Sequence, residues 1–151
     1  MKDIIHALKY ERRRTISPRL GALMRERGAD LLRDASVVVP VPLHPRREYQ
    51  RGFNQAEDLA RELGVPMMPM LKRVVFTQSQ IELPKDQRQE NVKDAFGFRP
   101  SADGSLPQIV VLVDDVSTTG ATLEACARVL KSAGVSEVRA LTAARVVTEW
   151  R

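Results

Sequence analysis

Residues 110–122 read Val-Val-Leu-Val-Asp-Asp-Val-Ser-Thr-Thr-Gly-Ala-Thr, and this stretch decides the fold. Its four leading apolar residues are mostly β-branched and too few for a helix, which predicts a strand buried on both faces. Asp114 and Asp115 then stand where that strand is expected to end. A hydroxyl-rich turn with one glycine follows and opens into an amphipathic helix over residues 119–133. Residues 138–143 supply the next strand, so this part of the chain is a β-α-β unit with a parallel pair. In an open parallel sheet the strand-to-helix junction is where ligands bind.

The turn itself is built for an anion. Ser117, Thr118, Thr119 and Thr122 bring hydroxyls, Gly120 and Ala121 leave the backbone accessible, and the helix N-terminus adds partial positive charge. Neighbouring carboxylates suit sugar hydroxyls, and a sugar phosphate is the ligand that needs both. No lysine sits in the turn and no Gly-x-Gly-x-x-Gly occurs, which excludes a Walker-type loop and a dinucleotide fingerprint. A lone Thr-Thr-Gly-Ala-Thr reads as a helix cap. The whole strand–Asp-Asp–turn–helix pattern reads as a sugar-phosphate site.

Upstream, residues 37–41 predict the first strong strand, and residues 54–63 an amphipathic helix stopped by Gly64. Residues 71–76 predict a second strand, residues 77–93 a polar functional loop, and residues 95–98 a short strand. Ser17-Pro18 reads as a cap and first helical position, with Leu20, Leu23, Met24 and Leu31 facing inward. The expected architecture is one doubly wound α/β domain over residues 1–151, with four or five mostly parallel strands. Residues 1–34 would form N-terminal helices and a small hood, and residues 37–151 the α/β core.

At 151 residues, 43% hydrophobic and 28% charged, the chain has the composition of an ordinary globular domain. No apolar run reaches membrane-spanning length and no secretory leader is visible, so a cytoplasmic protein without membrane contact is expected. The single cysteine, Cys126, reads as a small core residue in a reducing compartment. The net charge of +5 is uneven: residues 1–51 hold 12 Lys/Arg against 6 Asp/Glu, and the remainder is close to neutral. Such an excess suits a polyanionic substrate or a nucleic acid.

The motif at residues 110–122 resembles the phosphoribosyl-pyrophosphate (PRPP) signature of type I phosphoribosyltransferases. The wider chain resembles their ComF-type competence subgroup. The matching stretches are Ile-His-Ala-Leu-Lys-Tyr at 5–10, Val-Pro-Val-Pro-Leu-His at 39–44, Arg-Gly-Phe-Asn-Gln-Ala at 51–56 and Arg-Gln-Glu-Asn-Val at 88–92. The resemblance implies the type I phosphoribosyltransferase fold and transfer of phosphoribose from PRPP to a nitrogenous base, with Mg²⁺ and release of pyrophosphate. Asp114 and Asp115 would hold the ribose hydroxyls, and Ser117, Thr118, Thr119, Gly120, Ala121 and Thr122 the 5′-phosphate. Residues 42–51 would form the pyrophosphate loop, and residues 77–93, with Arg88, the loop that closes over the site.

The cationic character of Arg46, Arg47 and Arg51 supports the pyrophosphate role, since arginine forks match phosphate oxygens. An extended segment would not turn Arg46 and Arg47 inward together. His44 reads either as a proton donor or phosphate contact, or as a packed loop residue beside two prolines. The resemblance also implies a homodimer and a link to DNA uptake. Some relatives carry an N-terminal four-cysteine zinc module, and this sequence contains no Cys-x-x-Cys. Other readings are a PRPP sensor without turnover, and a competence factor handling single-stranded DNA or other DNA-processing proteins. Tyr10, Tyr49 and Phe53 flank the basic clusters in a way that suits the DNA reading.

Overall fold

The computed structural model describes residues 16–74 and 95–145. Within them the elements run α1 (Ser17–Arg27), α2 (Ala29–Leu32), β1 (Val37–Pro40), α3 (Pro45–Arg51), α4 (Gln55–Arg61), β2 (Leu71–Arg73), β3 (Phe96–Phe98), β4 (Ile109–Ser117), α5 (Ala121–Ala133) and β5 (Glu137–Arg145). The expected loop over residues 77–93 and the short helix expected before residue 15 lie outside the described residues.

β1, β4 and β5 form a parallel sheet in that order, with Val38 opposite Val111 and Val110 opposite Val138. β4 is central, and its run Val110, Val111, Leu112 and Val113 is buried on both faces, as the unbroken apolar stretch predicts. On one face Val110 and Leu112 join Val37, Val39, Cys126 and Leu130 of α5. On the other, Val111 and Val113 join Val38, Leu141, Leu20, Met24 and Leu59 from α1 and α4. Each fully buried side chain of this size contributes about 1.5–3 kcal/mol, so the sheet is clamped between two helical layers.

Five strands lie among the described residues, where four or five were expected in one sheet, and they divide between two sheets. β2 and β3 form a separate antiparallel pair, Leu71 opposite Phe98 and Arg73 opposite Phe96. The strand expected over residues 71–76 therefore does not extend the parallel sheet. That place beside β1 is taken by a single bridge, Val38 to Met67, where the Val38 N–H donates to Pro66 O and the Met68 N–H to Val38 O, both at 2.9 Å. Pro66 and Pro69 flank the bridge, lack N–H donors and keep it from growing into a strand.

This arrangement defines a switch point. After β1 the chain crosses by α4 outward to Met67, and after β4 it crosses by α5 outward to β5, on the opposite face. The segments that follow β1 and β4 thus leave the same sheet edge side by side, the usual crevice of a doubly wound sheet.

Two details of the N-terminal helices differ from expectation. Ile16, not Ser17, is the N-cap of α1; Ser17 lies inside the first turn, and its buried Oγ has no partner among the described residues. Ser17, Leu20, Gly21 and Met24 form the buried stripe at helical spacing, which turns Leu23 outward. Leu31 sits on α2 after Gly28 has broken the helix, and it too is exposed.

Candidate functional site

β4 continues through Asp114 and Asp115 to Ser117, so the aspartates are strand residues at the open sheet edge and not its terminus. Asp114 pairs in register with Thr142 of β5. Asp114 is half-buried and Asp115 is 8% exposed. The Asp115 N–H donates to Asp114 Oδ1 at 2.8 Å, and the Val116 N–H to Asp115 Oδ1 at 2.7 Å. These local bonds fix both carboxylates in place before any ligand arrives.

Beyond them the chain turns through Thr118 and Thr119 into Gly120, which adopts φ 80°, ψ 0° and is the N-cap of α5. That left-handed conformation favours glycine, and a Cβ built there meets nothing within 4 Å. Thr119 Oγ1 accepts from the Ala121 N–H at 3.3 Å. The remaining first-turn N–H groups of α5 have no intrahelical acceptor, as at any helix start. A cavity of about 40 Å³ opens here, walled by Asp114 and by every residue from Val116 to Leu123. All six residues expected to hold a phosphate, and one of the two aspartates, therefore line one small cavity.

The segment after β1 is a helix where a loop was expected. His44 caps α3, its Nδ1 accepting from the Arg46 N–H at 3.1 Å, and Pro45 occupies the first turn. Gly52 ends α3 in the left-handed conformation, with φ 77°. Helical geometry resolves how the three arginines are shared. Arg46 and Arg47 diverge by about 100°, whereas Arg47 and Arg51 lie four apart on one face. Asn54 closes the excursion at its base: it donates from Nδ2 to Val41 O at 3.1 Å and accepts from the Ala56 N–H at 3.1 Å. Phe53 is a core residue, which removes it from the aromatic set expected beside the basic clusters, and Phe96 is buried with Phe98 packed against the same core. Arg88 lies outside the described residues.

Arg73 is the residue that the sequence reading missed. Its guanidinium lies over the Phe96 ring, 5.1 Å from the centroid. Burial lowers its pKa, and the nearby Arg47 lowers it further. Burial likewise pushes the Cys126 thiol up to about 12; Asp114 adds to that rise and Arg73 opposes it. Both Asp114 and Arg73 thus act electrostatically on the same buried thiol. Arg73 and Lys72, with Arg99, face Pro42, Leu43 and Pro45 across a second cavity of about 230 Å³, while Glu48 and Glu57 also line it. Strand parity is the signal that locates Arg73 in sequence, because it shares a face with buried Leu71.

Among the described residues no group of three or more His, Cys, Asp or Glu side chains is placed to hold a metal ion. No described helix is long and apolar enough to cross a membrane.

Comparison with known proteins agrees with this geometry. Residues 49–150 match the phosphoribosyl transferase domain. The chain is 38% identical over 113 residues to competence protein F of Haemophilus influenzae, covering 72% of this chain and 49% of that protein. It is 32% identical over 149 residues to the DNA utilization protein YhgH of Escherichia coli K12, covering 92% of this chain and 64% of that protein. It is also 29% identical over 107 residues to competence protein ComFC of Streptococcus pneumoniae, covering 71% of this chain and 47% of that protein. The chain thus spans about half to two thirds of the length of these relatives. Among solved structures, the allosteric regulatory enzyme of purine biosynthesis superposes with a TM-score of 0.55 at 22% identity, over 86% of this chain and 26% of that one, which shows a shared fold. With its fold, its strand–Asp-Asp–turn–helix junction and these relatives in agreement, the chain belongs to the type I phosphoribosyltransferase family, in its ComF-type competence group.

Proposed function

We propose that the protein binds PRPP at the β4–α5 junction and transfers its phosphoribosyl group to a nitrogenous base. The observation that carries this reading is the small cavity at Gly120, walled by hydroxyls, helix-start amides and Asp114, with Asp115 next to it in β4. The 5′-phosphate would accept from the amides and hydroxyls of residues 117–122, and Asp114 with Asp115 would accept from the ribose hydroxyls. Pyrophosphate would then project toward the segment after β1, where Arg47 and Arg51 share a helix face and Arg73 approaches from the hairpin.

In the reaction the C1′–O bond to pyrophosphate breaks, and its electron pair leaves with that group. A C1′–N bond forms from the acceptor lone pair, and the acceptor gives up a proton. The protein's part is electrostatic: arginines neutralise the departing anion, while the fixed carboxylates face the positive charge that develops on the sugar. Mg²⁺ fits this donor set only as a guest of the ligand. Two adjacent carboxylates do not make a cage, and Mg²⁺ readily keeps several waters and phosphate oxygens. It would supply charge neutralisation on the pyrophosphate.

The test is thermal stabilisation by PRPP with Mg²⁺, followed by a screen of purine, pyrimidine and pyridine bases for pyrophosphate release. Stabilisation with turnover is expected. Stabilisation without turnover makes the protein a PRPP sensor, and no stabilisation refutes the site.

The relatives' printed names, competence protein and DNA utilization protein, bring a role in handling incoming DNA to this chain as part of the proposal. A cytoplasmic setting goes with that role. One observation favours direct contact with single-stranded DNA. Tyr49 is 91% exposed on α3 amid Arg46, Arg47 and Arg51, an aromatic platform between cations. Oligonucleotide binding that falls with salt and is lost in Tyr49→Ala supports that contact. Binding that ignores both refutes it.

A further inference from the structure

Asn54 stands where β1 and β4 separate, next to the peptide that joins the two aspartates. The β1–β4 register ends with Pro40 opposite Val113, and the Val41 N–H still donates to Val113 O at 2.9 Å. In a parallel ladder the carbonyl of that same residue then accepts from the N–H two residues beyond, here Asp115. The pattern breaks at this bond. Val41 O accepts from Asn54 Nδ2 at 3.1 Å, and the Asp115 N–H donates to Asp114 Oδ1 at 2.8 Å. The Val116 N–H likewise donates to Asp115 Oδ1 at 2.7 Å, and the β4–β5 register passes over Asp115.

We infer that Asn54 is a positioning residue for the sugar site: by occupying the Val41 carbonyl, it holds the Asp114–Asp115 peptide out of the sheet and keeps its N–H on the Asp114 carboxylate. This role rests on the reading of the β4–α5 junction as a sugar-phosphate site. Strand parity shows what the peptide controls. Asp114 shares the face of Val110 and Leu112 and walls the phosphate cavity, whereas Asp115 shares the face of Val111 and Val113. A ladder continued through Asp115 would withdraw the amide that clamps Asp114 Oδ1. With the clamp in place the carboxylate is oriented before a ribose hydroxyl arrives, and such preorganisation appears as affinity. The residue type fits the task. Asn54 is buried, its Oδ1 accepts from the Ala56 N–H at 3.1 Å, and its Nδ2 serves Val41. Serine or aspartate would cap α4 as well, but an ionised aspartate has no donor and a serine hydroxyl is too short to serve both groups.

Asn54→Ser tests the role, since it keeps a cap for the Ala56 N–H and removes the donor to Val41. The Val41 carbonyl then competes for the Asp115 N–H, and one of the two acceptors goes without. At a temperature where both proteins are folded, calorimetry should show ribose 5-phosphate binding about tenfold weaker and inorganic phosphate binding unchanged. A cap that is only structural would lower Tm and leave the ratio of the two affinities alone. Scalar couplings across hydrogen bonds, read by NMR, test the geometry with neither ligand nor variant. In the wild type the Val41 carbonyl carbon should couple to the Asn54 side-chain amide and not to the Asp115 amide. A wild-type coupling between Val41 and Asp115 overturns the inference, and so does unchanged ribose 5-phosphate affinity in a folded Asn54→Ser chain. A wild-type chain that binds no ribose 5-phosphate refutes the ligand reading and the role within it, while the couplings separately decide whether Asn54 parts the strands.

Discussion

Replacing Gly120 by alanine separates stability from binding at the phosphate cavity. Gly120 has φ 80°, so a Cβ carries the cost of the left-handed conformation, about 1–2 kcal/mol. No steric cost is added, because nothing lies within 4 Å of the new atom. For a domain of this size that loss corresponds to a fall in Tm of about 2–8 °C. The ligand effect should be separate and larger in consequence. The cavity is about 40 Å³, and the methyl group enters the space that the phosphate needs against the α5 amides. Losing one charge-assisted hydrogen bond costs about 1.5–3 kcal/mol, which is roughly a tenfold to hundredfold loss of affinity. Gly104→Ala is the control, since Gly104 has φ 70° and equally open space but lies in the turn of Ser101, Asp103 and Ser105. Calorimetry with ribose 5-phosphate and thermal melts of both variants give the answer. Equal Tm losses with affinity lost only in Gly120→Ala are expected. Unchanged affinity in Gly120→Ala refutes the placement of the phosphate.

Further outcomes follow from other parts of the structure. Asp114→Asn with Asp115→Asn should abolish PRPP binding by calorimetry while leaving the fold intact, because asparagine oxygens still accept from the Asp115 and Val116 positions. Arg73→Gln should weaken pyrophosphate binding about tenfold and leave ribose 5-phosphate binding unchanged, with partial rescue by Arg73→Lys; equal loss of both ligands contradicts a pyrophosphate role. Asn54→Ala removes the α4 cap, about 1 kcal/mol, and strands the buried Val41 carbonyl, a further 1–3 kcal/mol, so a urea midpoint within error of wild type refutes the clamp. Cys126 should resist alkylation at neutral pH in the native state. Its folded pKa is raised by burial to about 12, so its contribution to stability is present below the unfolded thiol's pKa, near 8.5, and is lost as pH rises toward 12. The Cys126→Ala variant should lose stability less steeply across that window.

The sequence made the centre of this molecule legible and left its margins open, for physical reasons. Residues 110–113 are apolar on both parities, which only a sheet covered on two faces allows, and the structure places them there. Gly120 and the threonines marked the anion turn because a left-handed residue at a helix start has few other causes. Helix α3 was read as a loop because Pro45 and five polar residues show no apolar stripe, and its stability comes from a histidine cap and the Asn54 clamp. The segment over residues 71–76 looked like another parallel strand, since local pattern does not say which partner a strand finds. Leu23 and Leu31 were expected inside on hydrophobicity alone, which is a one-way guide. Arg73 escaped notice because an arginine on a buried strand face announces itself by parity and not by motif.

The central claim is that the β4–α5 junction holds a sugar phosphate, and a crystal structure with ribose 5-phosphate bound tests it most directly. The account predicts the phosphate among the amides and hydroxyls of residues 117–122, with the ribose hydroxyls on Asp114 and Asp115. A ligand seated elsewhere, or aspartates turned away from the sugar, would contradict it.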